Sequence, residues 1–434
     1  MNTYAEKEEH VLRSRSQQNQ QRRQRRREFI LDRSRTARDT RQLLGVELQA
    51  EIESVLPLLP TCDDATFLNI LKVILLGAYQ ARKARSEASF YAFLLERGVF
   101  DEVLARLDPS RPPDVVKTGL TLLINASTER GFSPIFIQKG VIPLALQLVA
   151  TNTLRTDALW LFGNLSGEDV NCRNVIFEQV GEPLLRNLAP LPLTLDEKRK
   201  LVWLFSNFCR DTPRLPPARL APFLDYFFAV LDENDDQISN EVLYSFSHLI
   251  GDPTILAVVR SKLLPITMRS LSSPHDDIVA AGLRALGTIA SVSDDEIRFS
   301  MQFGPLEKLT HIIEFSPTRV VSVALWVLSN YCACPDVQIT EQIINDYRIS
   351  LVITNVFFTS PEIKEEAGWC LTNLLAFASD TAVWRMQGVD GFYDALAILL
   401  TMDFRVYQEM FAYLLNGMMR VLRLGESGMV DQLS

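Results

Sequence analysis

The sequence predicts an all-α fold, a right-handed superhelical solenoid built from about nine three-helix repeats. Two observations support this prediction. A Trp followed four residues later by an Asn recurs four times, at Trp160/Asn164, Trp203/Asn207, Trp326/Asn330 and Trp369/Asn373. Degenerate copies keep the same spacing, and their first residues are Thr121, Tyr244, Arg284 and Tyr413. Successive copies are about 42 residues apart, a period typical of helical repeats.

Each repeat is predicted to contain a short helix, a corner, a second helix, a loop and a third helix that carries the motif. Glycine just beyond one helix, often followed by proline in the next, marks the corners. These glycines are Gly98, Gly140, Gly181, Gly304 and Gly388. The four-residue spacing places the Trp and the Asn on one face of the third helix. The period is that of armadillo or HEAT repeats.

Composition and period divide the chain into a basic arm (residues 1–44), the repeat array (45–425) and a short tail (426–434). The arm carries 12 Lys and Arg against six Asp and Glu, in a chain of net charge −9. It has little apolar surface, so we expect it to be disordered when free and to fold on a partner. Binding to nucleic-acid phosphates is the alternative for such a basic run. Its candidate binding residues are Arg22, Arg23, Arg25, Arg26, Arg27, Arg33, Arg35, Arg38 and Arg41.

Several classes of protein are disfavoured. No apolar run approaches the roughly 18–20 residues that cross a bilayer, and the first ten residues lack the apolar segment of a secretory signal. The six cysteines show no metal-binding spacing and are expected to be reduced and buried. No Gly-rich phosphate loop or catalytic cluster accompanies the four histidines. We therefore expect neither an enzyme nor a cofactor, but a monomeric binding protein with no membrane insertion.

The repeated motif predicts a surface for an extended peptide. Stacked motif helices would bring the Trp/Asn pairs into a ladder with a spacing of about 10 Å. An Asn side chain can hold a peptide N–H and C=O, and slots between Trp rings can hold Lys or Arg stems. A packed core does not obviously need an Asn in the same place in every repeat. The ladder is therefore interpreted as a binding surface with acidic residues selecting cations.

Two grooves are predicted, separated by the less receptive Tyr244 and Arg284 repeats. The first is formed by Asn125, Asp157, Trp160, Asn164, Glu168, Trp203, Asn207, Glu241 and Tyr244. The second is formed by Arg284, Trp326, Asn330, Glu366, Trp369 and Asn373. His248, four residues after Tyr244, is expected to be a packing or hydrogen-bonding residue.

The segments Leu201–Arg210, Ala281–Gly287 and Val421–Glu426 resemble importin alpha, an adaptor family that carries proteins with basic nuclear localisation signals. The resemblance implies that the first groove is the major signal site and the second the minor site. It also implies that the arm around Arg22–Arg41 binds an importin-beta-type carrier. The expected partners are then basic-signal cargo proteins, that carrier and nuclear pore components, without direct nucleic-acid contact. The protein would shuttle between cytoplasm and nucleus.

The sequence departs from this family at several positions. Thr121 replaces a Trp, Glu129 replaces a Gly, and Thr288 replaces an Asn, while Glu168 stands where the family has Asp. The end of the arm is reduced to Arg41-Gln42-Leu43, which weakens the expectation of self-inhibition, and no tenth repeat is recognised. The alternative hypothesis is a non-transport armadillo scaffold that binds an extended peptide of another partner in the same groove.

Overall fold

A computed structural model describes residues 45–151, 154–210, 213–231, 235–344, 346–358, 360–403 and 405–426. The basic arm, with all of its candidate arginines, lies outside these residues. Throughout the described part the chain is helical and contains no β-strand, which confirms the all-α prediction. The residues form two compact units, divided between Leu215 and Pro216, and each unit is a stack of helical repeats.

The helices of the first unit are α1 Gly45–Val55, α2 Asp64–Lys83, α3 Glu87–Glu96, α4 Val99–Ala105, α5 Pro113–Ala126, α6 Phe132–Gln138, α7 Val141–Ala150, α8 Arg155–Ser166, α9 Val170–Ile176, α10 Glu182–Leu188 and α11 Leu195–Phe208. A 3₁₀ turn at Leu56–Leu58 follows α1, and a π-turn at Phe177–Gly181 joins α9 to α10.

The helices of the second unit are α12 Pro217–Val230, α13 Asp236–Leu249, α14 Pro253–Ser270, α15 Asp276–Val292, α16 Asp294–Met301, α17 Pro305–Phe315, α18 Thr318–Cys332, α19 Val337–Ile343, α20 Asp346–Val356, α21 Pro361–Phe377, α22 Asp380–Gln387, α23 Phe392–Leu399 and α24 Gln408–Glu426. Among the described residues, no single helix is long and apolar enough to cross a bilayer. The bent pair α6 and α7 together reach that length and apolarity.

Side-chain caps fix where several helices begin. The carboxylate of Asp63 accepts the N–H of Thr66 at the start of α2. Before α11, Thr194 and Glu197 form a reciprocal capping box. Such caps satisfy backbone N–H groups that have no partner within the helix. The helix boundaries therefore follow from local sequence.

At three of the five predicted corners, the predicted glycine makes the turn. Gly98, Gly140 and Gly304 precede α4, α7 and α17, and their φ angles are 72°, 83° and 67°. This left-handed conformation is costly for residues with a Cβ, and glycine adopts it readily. Each of these glycines turns the chain sharply between two short helices.

The corner predicted at Gly181 is wrong, whereas the corner predicted at Gly388 is present but is turned by a different glycine. Gly181 has φ −56° and lies in the π-turn, so the chain stays helical from α9 to α10. The wider π-turn accommodates the missing N–H of Pro183 without a corner. Gly388 has φ −80°, and the turn into α23 is made instead by Gly391, with φ 80°.

The three-helix prediction also fails for two repeats. The repeats that end in α13 and α15 each contain one long helix before the motif helix, α12 and α14. Both long helices contain an internal proline, Pro222 and Pro265, without being divided. Neither helix contains a glycine at which the chain could turn sharply, so the chain continues in helical conformation.

The helices that carry the Trp/Asn motif or its degenerate copies form the buried layer of each unit; we call them motif helices. In the first unit, α8 packs between α5 and α11. In the second, α15 packs between α13 and α18, and α21 between α18 and α24. Side chains such as Leu161, Phe162, Leu204 and Phe205 are fully buried. Because each of these motif helices packs between two others, equivalent residues of neighbouring motif helices lie next to each other.

Candidate functional site

The four Trp/Asn pairs lie on motif helices that are direct neighbours within each unit. Helix α8 carries Trp160 and Asn164 and packs on α11, which carries Trp203 and Asn207. We call these four residues, with Asn125 on α5, the first row. Helices α18 and α21, likewise in contact, carry the second row, which comprises Trp326, Asn330, Trp369 and Asn373.

Each Asn of an intact pair is hydrogen-bonded to the preceding motif helix. Its Nδ2 donates to the carbonyl three residues after the Trp, or the Trp-equivalent residue, of that helix. The bonds join Asn164 to Ile124 (3.0 Å), Asn207 to Gly163 (2.8 Å), Asn330 to Gly287 (3.1 Å) and Asn373 to Ser329 (3.0 Å). The hydroxyl of Thr288, which replaces the Asn of its repeat, donates to the Arg284 carbonyl of its own helix at 2.8 Å and lies 3.4 Å from the equivalent Ser247 carbonyl. A carbonyl oxygen can accept two hydrogen bonds, so it can hold the Asn in addition to its helical partner; the Gly163 carbonyl, for example, also accepts the Gly167 N–H at 3.2 Å.

The Trp packs on the same position that the Asn bonds. A Cβ at Gly163 would lie 2.1 Å from Cζ3 of Trp203, and a Cβ at Gly287 would lie 2.1 Å from Cζ3 of Trp326. Only glycine allows the indole to approach so closely. In these two cases, one Trp/Asn pair therefore clamps a glycine of the preceding repeat by packing and by a hydrogen bond.

This clamp corrects the sequence argument that a core does not need an Asn in every repeat. The recurrence has a structural cause, since each Asn links two motif helices. Burial agrees with this role: Trp160 and Trp203 are 7 % exposed and Trp369 is 8 % exposed, whereas Trp326 is half-buried. The indoles present a narrow part of their surface to solvent rather than open faces.

What remains available to a ligand is mainly the Asn carbonyl. A main-chain carbonyl only accepts hydrogen bonds, so the Asn NH₂ group must face it and Oδ1 must point elsewhere. Within the described ranges, no group donates to Oδ1 of Asn164, Asn207, Asn330 or Asn373. Asn125 on α5 makes no side-chain hydrogen bond to any described residue. The predicted use of both amide groups for a peptide is therefore restricted chiefly to the acceptor.

Lys200, which the sequence analysis missed, lies on the first row. Its Nζ is 3.9 Å from the centroid of the Trp160 ring, close enough for a cation–π interaction. Lys200 lies three residues before Trp203, the same position that drew attention to Asp157, Glu241 and Glu366 in other repeats. Among the repeats with a charged residue at that position, Lys200 is the cation and the other three are carboxylates.

The acidic residues predicted to select cations differ in their surroundings. Glu168 accepts the Gly131 N–H at 3.0 Å and contacts the Ser133 hydroxyl at 3.4 Å, so it links two repeats. Asp157 and Glu366 are half-buried. Glu241 on α13 is more deeply buried, with 4 % of its surface exposed, and its assignment to the first groove stays a prediction.

The predicted groove residue Tyr244 is also buried. Its side chain is 1 % exposed, and its ring packs edge-on against the ring of His248, with the centroids 4.7 Å apart. His248 is itself 6 % exposed and packs as expected. Arg284 and Thr288 on α15 are half-buried, as are Thr121 and Glu129 in the first unit.

The thiols near the rows are protonated and shielded. Burial raises the pKa of Cys209, next to the first row, to about 12. Burial, together with a hydrogen bond to Cys332, raises the pKa of Cys370 well above its usual value. All six cysteines are free, and Cys62 alone is more than slightly exposed. Across the described residues no group of His, Cys, Asp and Glu is arranged to hold a metal ion.

Fold and rows together define a helical-repeat protein whose motif helices carry Trp/Asn clamps. No protein-family model matches the chain. It is similar to importin subunit alpha-1b of Oryza sativa subsp. japonica, with 26 % identity over 208 residues, or 46 % of this chain and 39 % of that protein. It is also 27 % identical to importin subunit alpha-2 of Arabidopsis thaliana over 177 residues, or 38 % of this chain and 31 % of that protein.

A third relative is importin subunit alpha-2 of Caenorhabditis elegans, 26 % identical over 218 residues, or 48 % of this chain and 40 % of that protein. The chain thus spans less than half the length of these curated relatives. Over this part it is distantly similar to several importin alpha subunits. The crystal structure of an engineered protein has the same fold, with a TM-score of 0.71 at 18 % identity, covering 88 % of this chain and 92 % of the other.

Proposed function

We propose that this protein binds extended, Lys/Arg-rich peptides along its Trp/Asn rows and acts as a nuclear import adaptor. The observation that carries the proposal is the regular placement of Asn Oδ1 acceptors, one beside each indole, on neighbouring motif helices. Packed helices are about 8–10 Å apart. An extended peptide advances about 3.3 Å per residue, so one of its N–H groups could meet an Oδ1 every two or three residues.

Charge favours a cationic ligand. The arm contributes +6 to a chain of net charge −9, so the remainder carries −15. An acidic body attracts basic segments over distances of about 8–10 Å at physiological salt. The contact between Lys200 and Trp160 also provides an internal example of an ammonium group resting on an indole of the row. The relation to importin alpha subunits supports the same choice of ligand.

The carrier-binding part of the proposal concerns residues 1–44, which lie outside the described residues. We propose that their arginines bind an importin-beta-type carrier, while the rows bind cargo with a basic localisation signal. The protein would then shuttle between cytoplasm and nucleus, with nuclear pore components as further contacts. This part rests on the charge of the arm and on its resemblance to the importin-beta-binding segment.

Peptide binding is tested best at the second row, where Trp326 and Asn330 are both half-buried and therefore lose less packing on replacement than the buried pairs of the first row. Fluorescence anisotropy with a labelled Lys/Arg-rich peptide should show about tenfold weaker binding for Trp326→Ala combined with Asn330→Ala. That loss corresponds to about 1.4 kcal/mol, the sum of a lost cation–π contact and a lost hydrogen bond. Unchanged affinity in the double variant would remove the rows from the proposal.

Tyr393→Ala is the matched control. Tyr393 is 56 % exposed on α23, which is not a motif helix, so its loss should leave peptide affinity unchanged. Thermal melting of each variant separates loss of binding from loss of fold. An equal effect of Tyr393→Ala would mean that the peptide binds without reference to the rows.

The second candidate, a non-transport scaffold, is distinguished through the arm. Deleting residues 1–44 should abolish capture of an importin-beta-type carrier and leave peptide binding intact. In cells, the same deletion should prevent nuclear accumulation of a reporter with a basic signal. Peptide binding without any carrier capture by the full chain would favour the scaffold.

A further inference from the structure

The two rows differ in charge at one equivalent position. In the first unit Lys200, three residues before Trp203, reaches back and covers the ring of Trp160 on the preceding motif helix. In the second unit the residue three before Trp369 is Glu366, and the preceding motif helix carries Trp326. Three residues before its second Trp, one row thus carries a cation that lies on the first indole, and the other row carries a carboxylate at the equivalent position.

The surroundings of Lys200 reinforce this difference. Glu197, one turn earlier on α11, is 6 % exposed and forms an ion pair with Arg155 at 3.1 Å. Its charge is therefore compensated within the chain, and an ammonium on Trp160 is already supplied by Lys200. A Lys or Arg of a ligand would have to displace Lys200 and approach Arg155.

The Asn residues differ in the same sense. In the first row the second amide hydrogen is also used, because Asn164 donates to the Ser127 hydroxyl and Asn207 to the Ser166 hydroxyl, each at 3.0 Å. Serine at this position, six residues after the Trp-equivalent residue, is replaced by Ala290 and Cys332 in the second unit. There Asn330 and Asn373 each make a single side-chain bond to the described residues, so each keeps a donor as well as Oδ1 for a peptide.

We propose that Lys200 is a built-in occupant of the Trp160 subsite, so that a short basic peptide binds the second row and is excluded from the first. This inference rests on the proposed function and adds to it a residue that determines which row is used. Lys200 acts by covering the ring of Trp160 and by repelling an incoming cation. Removing its charge should open the first row, and reversing it should convert that row to the character of the second.

The test is isothermal titration of the full chain with an acetylated hexapeptide of alternating Lys and Arg, too short to bridge distant subsites. The wild type should bind one peptide per chain. Lys200→Glu should bind two, and Lys200→Arg, which keeps the cation, should remain at one. Lys200→Met removes the charge without adding a carboxylate and guards against misfolding of the charge-reversed variant. It should also bind a second peptide, more weakly than Lys200→Glu does, because the indole of Trp160 is uncovered but no carboxylate is added.

A double variant separates the rows. Glu366→Lys alone should weaken the single wild-type site by tenfold or more, and Glu366→Lys combined with Lys200→Glu should restore one site, now in the first row. Two peptides on the wild type, or one on both Lys200→Glu and Lys200→Met at unchanged affinity, would overturn the role of Lys200 and leave the proposed function standing. No binding to the wild type and to either Lys200 variant would instead reject peptide binding itself.

Discussion

Replacing Asn207 by Ala tests the clamp between motif helices. The Asn207 side chain is 2 % exposed, and its Nδ2 donates to the Gly163 carbonyl at 2.8 Å and to the Ser166 hydroxyl at 3.0 Å. Each buried hydrogen bond contributes about 0.5–1.5 kcal/mol, so the variant should lose about 1–3 kcal/mol. The Gly163 carbonyl also accepts the Gly167 N–H, so it is not left without a partner. The estimate therefore needs no additional penalty for an orphaned carbonyl.

Asn125 provides a control at the equivalent place in an earlier repeat. It is half-buried and makes no side-chain hydrogen bond to the described residues, so Asn125→Ala should change stability by less than about 0.5 kcal/mol. Urea unfolding followed by circular dichroism measures both variants. With a slope of about 2–3 kcal/mol per molar, the midpoint for Asn207→Ala should fall by about 0.3–1.5 M. The comparison uses the transition of the first unit, because two compact units can unfold separately.

Equal shifts for Asn207→Ala and Asn125→Ala would refute this account of the repeated Asn. So would a neutral Asn207→Ala, since the side chain would then contribute nothing to the link between α8 and α11. In either case the recurrence of Asn would have to be explained by ligand binding alone, as the sequence first suggested.

Three further predictions concern the first unit. Gly163→Ala would place a Cβ 2.1 Å from Trp203, so the indole must move; melting should show a loss of about 1–3 kcal/mol together with altered Trp fluorescence. Arg173 is 1 % exposed and donates to the Pro213 carbonyl at 2.6 Å. Arg173→Met should therefore lower the free energy of unfolding in urea by about 2–3 kcal/mol, and a neutral result would mean that this hydrogen bond does not stabilise the unit. Burial raises the pKa of Cys209 from 9.0 to about 12, so the thiol should resist labelling at pH 8 until the unit unfolds. Because the thiol ionises at a lower pH in the unfolded chain than in the folded one, the stability that it contributes to the folded state is complete below pH 9 and declines as the pH rises from about 9 towards 12. Cys209→Ala should remove this part of the loss of stability at alkaline pH.

Much of the fold was accessible from sequence because its signals are local. The four-residue Trp/Asn spacing and the repeat period identified the motif helices, and glycine at 98, 140 and 304 identified corners that only a residue without a Cβ adopts readily. The failures at Gly181 and Gly388 are also local in origin. A glycine permits a left-handed turn but does not require one, and the helix continues wherever its hydrogen bonds can be kept.

The candidate site was predicted less completely. The sequence identified the Trp and Asn residues but assigned the whole Asn side-chain amide to a ligand. In the structure, the NH₂ group of that amide is hydrogen-bonded to the preceding repeat. It also assigned Glu241 and Tyr244 to a surface, although both are buried. Partners of this kind lie about 40 residues apart in the chain, so no local pattern reveals which group meets which.

The sequence by itself determined that this protein is a stack of helical repeats with an indole and a carboxamide on one face of each intact motif helix. That outcome depends on spacing and on backbone preferences, which act over a few residues. Only the tertiary structure decided that the carboxamide links neighbouring helices, that the indole rests on a glycine, and that Lys200 covers Trp160. These depend on how one repeat is placed on the next, because hydrogen bonds and ring contacts form only when two distant segments come within a few ångströms of each other.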